Sequence, residues 1–374
     1  MEEIFLTNQQ NTSIQLSPLE WAEKACVSLM EQNTPIELPP ANRWHYHQGV
    51  YLYGMYRVFE ETKKDEYFAY IKKYVDDLVD EEGNFYFRRD ELDAIQPGLL
   101  LFPIYEATKE GKYKVAATKL RNLLKTLNKT TEGGYWHKDK YPYQMWLDGL
   151  YMAGPFSVIY GKMFNEPELI ESCLYQEKLM RKHTKDPETG LLYHAWDEKK
   201  EQPWANSETG RSPEVWSRSL GWYGMALVDI LEHLEGDHPA RQELISELRQ
   251  YVDTLVKYQD EESGLWYQIV DKGDKEDNWL ESSGSSLFVY TIAKAVNGKY
   301  LDSSYLEVAN KSFNGLLDKM ISFDEDNRLQ LEGICIGTSC GVYDYYVARE
   351  TSVNDLHGLG AFMLACVEMS KLNK

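Results

Sequence analysis

Asp148 is a lone carboxylate in an apolar run. It lies within YQMWLDGLYMAGPF, residues 143–156, which otherwise consists mainly of aromatic, aliphatic and small residues. If this run is buried, the charge must be paired, hydrogen-bonded or suppressed by a raised pKa, because an isolated buried charge is unfavourable. A carboxyl group with a raised pKa is what a general acid needs near neutral pH. The alternative interpretation is a helix-capping aspartate without catalytic function.

The elements that position this residue recur along the chain. Six stretches share a polar or aromatic opening, small residues and then an apolar helical run, and they occupy residues 45–59, 93–107, 148–164, 217–234, 281–296 and 355–372. Between them lie more conventional amphipathic segments, such as 66–80, 244–259 and 304–321, with apolar residues at spacings of three and four. The alternation predicts six inner and six outer helices.

Two concentric rings of this kind form an all-α (α/α)6 barrel, which we predict as one domain over residues 1–374. Short Gly-centred stretches, among them 81–88, 132–138, 188–197, 262–271 and 326–333, are typical of small hairpins or extended loops. A twelve-helix superhelical array is the competing architecture. The spacing of the six stretches is irregular, which counts against such a repeat.

If the inner helices all begin at one end of the barrel, their first residues converge on one cavity. The residues at those starts and in the preceding hairpins are Trp44, His45, Tyr46, His47, Asp93, Gln96, His137, Trp146, Asp148, His194, Trp196, Trp216, Arg218, Trp222, Glu281, Ser282, Ser283 and His357. Aromatic rings stack on the C–H faces of sugars, while polar groups bind the hydroxyls. This composition favours a carbohydrate cleft over a pocket for a hydrophobic ligand.

Charge and composition exclude several classes of partner. The chain has 374 residues and a formal net charge of −20, which disfavours nucleic acid or an anionic membrane surface. A small anion held by one or two local basic residues remains compatible with this charge. We find neither a secretory leader at the N-terminus nor a transmembrane run, and we expect a cytoplasmic protein. The sequence leaves the oligomeric state open, a monomer included.

The five cysteines, Cys26, Cys173, Cys335, Cys340 and Cys366, indicate a reducing compartment rather than a disulfide framework. Cys335 and Cys340 with His357 are the nearest approach to a zinc-ligand set, but their spacing matches no common arrangement. We therefore predict no metal and no cofactor.

Three motifs carry a resemblance to a known family. The run WLDGLYMAGPF, with DAIQPG before it and SRSLGWYGMAL after it, resembles the unsaturated rhamnogalacturonyl hydrolases of glycoside hydrolase family 105 and, more distantly, the unsaturated glucuronyl hydrolases. The resemblance covers nearly the whole chain. It implies an intracellular (α/α)6-barrel enzyme that acts on the unsaturated disaccharides left by pectin lyases.

The resemblance also implies roles for individual residues. Asp148 is the general acid and base, and Asp93 assists it. The substrate contacts that it implies are Tyr46, His137, Trp146, His194, Arg218 and Trp222. Each has a structural alternative: the histidines could be lining rather than proton-transfer groups, the tryptophans could belong to the core, and Arg218 could close an ion pair.

The chemistry of an unsaturated uronic acid requires only one acid group. Its C4=C5 double bond is a vinyl ether, so protonation at C4 gives an oxocarbenium-like cation at C5 to which water adds. Asp148 must then be protonated at the outset, and we expect it to share a proton with Asp93. Asp93 has an alternative interpretation as a helix N-cap.

Two other function classes fit the same residues. One is a different sugar enzyme on this barrel, either an epimerase with paired histidines or a glycosidase with two carboxylates. The other is a non-catalytic carbohydrate-binding protein. The identity of the sugar next to the unsaturated uronate depends on loop geometry, although the resemblance favours rhamnose.

Overall fold

Helices dominate the chain. The computed structural model describes residues 16–86 and 88–372. In those ranges the α-helices are, in chain order, α1 (Pro18–Met30), α2 (Tyr46–Thr62), α3 (Asp65–Leu78), α4 (Leu101–Thr108), α5 (Gly111–Thr126), α6 (Leu147–Met163), α7 (Pro167–Thr184), α8 (Ser217–His233), α9 (Arg241–Leu255), α10 (Ser282–Asn297), α11 (Leu306–Lys319), α12 (Tyr343–Val347) and α13 (Leu356–Lys371). Two 3-10 segments, Leu92–Ala94 and Gln96–Leu100, lead into α4.

Six helices form a closed inner ring. Going round it, α2 packs against the 3-10 segment that opens α4, this segment packs against α6, and α8, α10 and α13 follow before the ring returns to α2. Each outer helix packs on one inner helix, in the pairs α1–α13, α3–α2, α5–α4, α7–α6, α9–α8 and α11–α10. The predicted (α/α)6 barrel is confirmed, and closure of the ring excludes the open superhelical array.

Burial explains why the two rings have different sequences. In α8 of the inner ring, 15 of 17 residues are buried, and most of them are apolar or small. In α9 of the outer ring, 7 of 15 residues are buried, and the rest face solvent. Within the described ranges, no helix combines the length and the apolar character that crossing a membrane requires.

Glycines allow the inner helices to approach closely. A β-carbon at Gly360 of α13 would lie 2.7 Å from the backbone nitrogen of Tyr51 on α2. At Gly221, near the start of α8, a β-carbon would lie 2.7 Å from the β-carbon of Leu287 on α10. The missing β-carbons at these two positions therefore permit the backbones of neighbouring inner helices to come together.

The strands are short and occur in antiparallel pairs. They are β1 (Gln144–Trp146), β2 (Ala195–Asp197), β3 (Ile321–Phe323), β4 (Leu329–Leu331), β5 (Ile334–Cys335) and β6 (Thr351–Ser352), and they pair as β1–β2, β3–β4 and β5–β6. Pairing of β1 with β2 sets Trp146 opposite Ala195. It therefore joins the loop before α6 to the loop that carries His194.

Candidate active site

One cavity opens where the inner helices begin. It has a volume of about 310 Å³. Its walls are formed by Arg43, His45, Tyr46, His47, Arg89, Asp93, His137, Lys138, Lys140, Tyr141, Trp146, Asp148, Met152, Trp216, Arg218, Gly337, Thr338 and Ser339. Six of the eight residues predicted from the sequence line this cavity, and the other two, His194 and Trp222, lie behind its wall.

Asp148 is the second residue of α6 and is 9% exposed. The N-cap of α6 is Trp146, and no side chain caps the helix, so the interpretation of Asp148 as a cap is wrong. Its Oδ2 lies 3.2 Å from Nε2 of His194. Backbone geometry sets this contact, because the N–H of Leu147 donates to the carbonyl of His194 across the β1–β2 pair (3.0 Å).

The pKa of Asp148 contradicts one expectation from the sequence. Burial raises this pKa, but the interaction with His194 outweighs it and holds the pKa below its usual range. The first turn of a helix also favours an anion. Without substrate Asp148 is therefore ionised, and the prediction that it rests as the neutral acid is wrong for the free enzyme.

His194 is fully buried and has a second partner behind it. Its Nδ1 lies 2.6 Å from the hydroxyl of Tyr346 on α12. This hydroxyl accepts from the N–H of Gly341 (3.3 Å) and lies 3.7 Å from the sulfur of Cys340. Because Gly341 donates to this hydroxyl, the hydroxyl proton is available to Nδ1 of His194 at 2.6 Å and to the more distant sulfur of Cys340. We take Tyr346 as the donor to Nδ1. A neutral His194 then carries its own proton on Nε2, on the side of Asp148.

Asp93 has a different set of partners. It is 2% exposed and contacts Nζ of Lys138, with Nε2 of His45 at 3.3 Å and Nε2 of His137 at 3.9 Å. Burial raises its pKa, but the charge of Lys138 and the contact with His45 hold the pKa well below its usual range. The predicted sharing of a proton with Asp148 is wrong, because both carboxyl groups are ionised. Asp93 does not cap a helix either.

Two imidazoles at the cavity wall, those of His45 and His137, are neutral at pH 7. Burial lowers the pKa of His137 to about 4, and burial lowers the pKa of His45 to about 4, in both cases against the opposing charge of Asp93. The ring of His137 stacks on Trp146 at 4.3 Å and 13°. The backbone N–H of His137 donates to the backbone carbonyl of Gln144 (2.8 Å), which fixes this loop against β1. Both imidazoles are therefore suited to hydrogen bonding rather than to holding a positive charge.

Arg218 supplies a buried cation. It is the second residue of α8 and is 1% exposed. Its guanidinium donates to the carbonyls of Cys335 and Ile336, the latter at 2.8 Å, and lies 4.4 Å from the ring centre of Trp216. Among residues 16–86 and 88–372 no carboxylate lies within ion-pair distance of it. The alternative interpretation, in which Arg218 closes a structural ion pair, is therefore wrong.

Trp222 is part of the barrel interior. It is 1% exposed and stacks on Tyr151 at 5.0 Å and 10°. Its ring meets Tyr46 edge-on at 6.3 Å. Trp222 thus supports Tyr46, which lines the cavity, from behind.

Several lining residues were missed in the sequence. Lys138, next to the predicted His137, lies against Asp93, and the polar segment Gly337–Ser339 enters the cavity from the β5–α12 loop. Tyr141 joins these two loops, because its hydroxyl lies 2.7 Å from Oγ of Ser339. No helical periodicity covers such loops, so the sequence carried little signal for them. Adjacency to His137 was the one available clue for Lys138.

Two groups of residues have the atom types of metal ligands. In the first, His45, Glu91 and Asp93 lie close together, but Lys138 already supplies a cation to both carboxylates. In the second, Asp355 lies 3.0 Å from Nδ1 of His47 and 2.8 Å from Nδ1 of His357. Cys335 instead contacts Gln268 (3.1 Å) and Thr338 (3.3 Å), and Cys340 contacts Tyr346. The cysteine set considered in the sequence is thus not assembled around His357.

Comparison with known proteins agrees with this architecture. The chain matches Glycosyl Hydrolase Family 88 over residues 21–373. The unsaturated rhamnogalacturonyl hydrolase YesR of Bacillus subtilis (strain 168) is 30% identical over 294 residues, which are 76% of this chain and 78% of that protein. A solved family 105 glycoside hydrolase from C. acetobutylicum ATCC 824 is 36% identical, with a TM-score of 0.88 over 94% of this chain and 99% of that one.

A more distant structure shares the fold alone. It is the unsaturated glucuronyl hydrolase of Bacillus sp. GL1, at 13% identity and a TM-score of 0.67, with 94% of this chain and 95% of that one covered. The resemblance to family 105 that the three motifs carry is confirmed. The chain is a glycoside hydrolase and belongs to Glycosyl Hydrolase Family 88.

Proposed function

We propose that this enzyme hydrates the C4=C5 double bond of a 4,5-unsaturated uronic acid at the non-reducing end of a pectin-derived disaccharide. The neighbouring sugar, rhamnose, is then released. The observation that carries the proposal is that one cavity contains both the carboxylate of Asp148 and the buried cation of Arg218. The carboxylate is suited to proton transfer, and the cation is suited to the uronate carboxylate. The name of the relative YesR supports a substrate with rhamnose.

The partners of Asp93 favour hydration over ordinary glycoside hydrolysis. Ordinary hydrolysis uses two carboxyl groups on opposite sides of the anomeric carbon, one as acid and one as base or nucleophile. The carboxylate of Asp93 is taken up by Lys138 and His45 within the protein, so it is not free to act as a second acid, base or nucleophile. Hydration of a vinyl ether needs one proton-transfer group, and Asp148 fills that role.

The reaction then proceeds with Asp148 as acid and then as base. Its proton moves to C4, and the electron pair of the double bond forms the new C–H bond, which leaves an oxocarbenium-like cation at C5. Water adds to C5 and gives a proton back to the Asp148 carboxylate. The resulting hemiketal opens to a ketone at C5, which leaves a hemiacetal at C1. This hemiacetal collapses to an aldehyde, and the neighbouring sugar leaves with its glycosidic oxygen as a hydroxyl group. The enzyme ends in the protonation state in which it began the proton transfer.

Substrate binding provides the protonated form of Asp148. In the free enzyme its pKa lies below the usual range, so it must take up a proton on the way to the reactive complex. A uronate carboxylate brought into the cavity by Arg218 places a second anion near Asp148, and a neighbouring anion raises the pKa of a carboxyl group. A bound sugar also removes water, which acts in the same direction. Binding of substrate is therefore expected to be accompanied by proton uptake.

Asp93 is proposed to act on the site through its neighbours. Its charge is balanced by Lys138, and it faces His45 and His137 on the cavity wall. With both imidazoles neutral, their nitrogens are available to the sugar hydroxyls. Tyr46 and Trp146 complete the wall against which the ring is held. His194 acts on Asp148 rather than on the sugar.

The test follows the double bond directly. The enzyme is incubated with an unsaturated galacturonyl-rhamnose disaccharide while the ultraviolet absorbance of the double bond is recorded. We expect loss of absorbance with the native chain and a rate about 10³-fold lower or less with Asp148→Asn, because general acid–base catalysis supplies 10²–10⁴-fold. Asp77→Asn, which removes a partly exposed carboxylate outside the cavity, on the outer helix α3, is the matched control.

Other outcomes separate the alternatives. Unchanged absorbance with every unsaturated uronide, with rhamnose, galacturonate or glucosamine in the second position, removes the proposal. Isomerised sugar with the absorbance retained indicates an epimerase, and release of the neighbouring sugar with the absorbance retained indicates a two-carboxylate glycosidase. Binding without turnover indicates a carbohydrate-binding protein.

A further inference from the structure

The cavity carries an excess of basic side chains in an acidic protein. The chain has a formal net charge of −20, yet five basic residues and two carboxylates line this cavity. The basic residues are Arg43, Arg89, Lys138, Lys140 and Arg218. A local positive field inside a protein of negative charge is a feature of the site itself, and it attracts anions specifically to this place.

Two of the five cations have partners or an assigned role. Lys138 contacts Asp93 and lies 3.8 Å from Glu91, so its charge is balanced within the protein. Arg218 is buried against two backbone carbonyls, and under the proposed function it binds the carboxylate of the unsaturated uronate. The subsite inferred below rests on that function. The carboxylate of the unsaturated uronate then pairs with the guanidinium of Arg218, and neither group needs a further partner of opposite charge.

The other three cations, those of Arg43, Arg89 and Lys140, have no ion-pair partner among the described residues. In the parts of the chain that the structure describes, no carboxylate lies within 4 Å of the charged atoms of Arg43, Arg89 or Lys140. Glu91 is the neighbouring acid: burial raises its pKa above the usual range even though the charges of Lys138, Arg89 and Arg43 oppose this. The ion-pair partner of Glu91 is Lys138, at 3.8 Å, rather than any of these three residues.

These three residues reach the cavity from three separate loops. Arg43 lies before α2, Arg89 lies before the Leu92–Ala94 segment, and Lys140 lies before β1. Arg89 and Lys140 are exposed and Arg43 is half-buried, so they stand at the outer rim, whereas Arg218 is at the inner end. Cations from loops distant in sequence meet at one rim, and this convergence indicates a shared ligand.

An aromatic wall connects the inner end to this rim. His137 stacks on Trp146, and Trp146 lies 4.5 Å from Tyr141, whose ring is 5.3 Å from Nζ of Lys140. Trp146 is nearly buried and Tyr141 is half-buried, so the wall leads outward from the neighbourhood of Asp148. Such a wall suits a second and a third sugar ring, with Lys140 beside the outer one.

We infer that the rim formed by Arg43, Arg89 and Lys140 is a second anion subsite. It takes a carboxylate or sulfate group on a sugar that follows the unsaturated uronate. The preferred substrates are then acidic oligosaccharides with at least two anionic groups, and a disaccharide with a neutral second sugar fills only the inner half of the site. Charges at this rim are solvated, so each contributes modestly to the affinity for an anionic substrate, and the contribution depends on the salt concentration.

The experiment compares substrates that differ in one anion. The three substrates are the unsaturated disaccharide with neutral rhamnose, the same disaccharide with a sulfate on the rhamnose, and a tetrasaccharide with a uronate as its third sugar. We expect kcat/KM of the native enzyme to be about ten-fold higher for at least one anionic substrate than for the disaccharide with neutral rhamnose. Two or three weak charge pairs at the rim are enough for a difference of this size. This ratio is expected to fall toward one as salt is raised. The better anionic substrate identifies which source of the anion the rim binds.

Matched variants assign the effect to the rim. We expect the double variant Arg43→Gln/Lys140→Gln to bring the anionic-to-neutral ratio to within about two-fold of one. The control, Arg249→Gln/Lys319→Gln, removes the same two charges from the outer helices α9 and α11 and is expected to keep the native ratio. A native ratio near one for both anionic substrates, or an unchanged ratio in the rim variant, overturns the inference.

Binding keeps this inference separate from the proposed function. Titration calorimetry of Asp148→Asn with the same three saccharides gives the ratio of Kd values without turnover. If the native enzyme hydrolyses none of them, the proposed function fails, while the Kd ratio still decides whether the rim binds a second anion. Turnover of the neutral disaccharide with equal Kd values supports the function and rejects the subsite.

Discussion

Nε2 of His194 lies 3.2 Å from Oδ2 of Asp148. The two residues belong to different parts of the barrel, the helix α6 and the loop before β2, and the β1–β2 pair joins them. Because His194 is fully buried and held from behind by Tyr346, this contact is a fixed feature of the site. It keeps Asp148 ionised in the free enzyme, and it makes the protonation of Asp148 depend on what enters the cavity.

The first prediction concerns Tyr346→Phe. Asp148 must be protonated to act as an acid, so kcat/KM falls as pH rises through its free-enzyme pKa. Without the Tyr346 hydroxyl the proton of neutral His194 can move to Nδ1, which takes the donor away from Asp148 and raises its pKa. We expect the fall in kcat/KM to shift to higher pH, and kcat to decrease by about two- to ten-fold, as for one lost hydrogen bond.

The measurement is the pH profile of kcat/KM. Tyr343→Phe is the control on the same helix, because its hydroxyl bonds Asp277 at the surface (2.7 Å). An unmoved profile in Tyr346→Phe, or an equal shift in Tyr343→Phe, would show that Tyr346 does not set the ionisation of Asp148.

The second prediction concerns Lys138→Met. This change leaves the buried carboxylate of Asp93 without its ammonium partner, and breaking a buried pair from one side costs about 3–5 kcal/mol of unfolding free energy. We expect about 3 kcal/mol, because Lys138 is partly exposed. The double variant Asp93→Asn/Lys138→Met is expected to recover part of the loss, since no unpaired charge then remains. Denaturant unfolding at pH 7 measures both values.

The free energy of unfolding measured as the pH is lowered tests the same pair, Asp93 and Lys138. The pKa of Asp93 is depressed in the folded chain, so its contribution to stability is present above the unfolded-state pKa of about 4 and is lost as pH falls toward the folded pKa. Lys138→Met is expected to lose less stability than the native chain when the pH is lowered from 5 to 3. Equal losses in the two proteins would contradict the pairing.

The third prediction separates Trp222 from Tyr46. Trp222 is buried behind the cavity wall, so Trp222→Phe is expected to lower the unfolding free energy by about 1–3 kcal/mol and to lower kcat/KM less than ten-fold. Tyr46 lines the cavity, and Tyr46→Phe, which removes its hydroxyl, is expected to raise KM several-fold with little loss of stability. Steady-state kinetics and thermal unfolding of both variants decide the matter. A raised KM with native stability in Trp222→Phe would instead place Trp222 on the substrate.

Much of this protein was determined by its sequence. The alternation of apolar and amphipathic helical segments led to the two rings, because a helix in the inner ring is buried on nearly every side and a helix in the outer ring is buried on one side. The same periodicity placed Asp93, Asp148 and Arg218 near the starts of inner helices, and those starts converge once the ring closes. Six of the eight predicted site residues therefore line the cavity.

The partners of these residues were decided by the tertiary structure. Asp148 could have met Asp93 or His194, which lie 55 and 46 residues away in the sequence, and the pairing of β1 with β2 selected His194. Lys138 lies in a loop with no periodicity, yet its contact with Asp93 prevents the expected sharing of a proton. Loop geometry likewise decides that His194 and Trp222 lie behind the cavity wall. It also brings the three basic residues of the rim to one side of the cavity. Periodicity encodes which side of a helix is buried, whereas the pKa of a buried carboxyl group depends on the few atoms around it, which the folded loops supply.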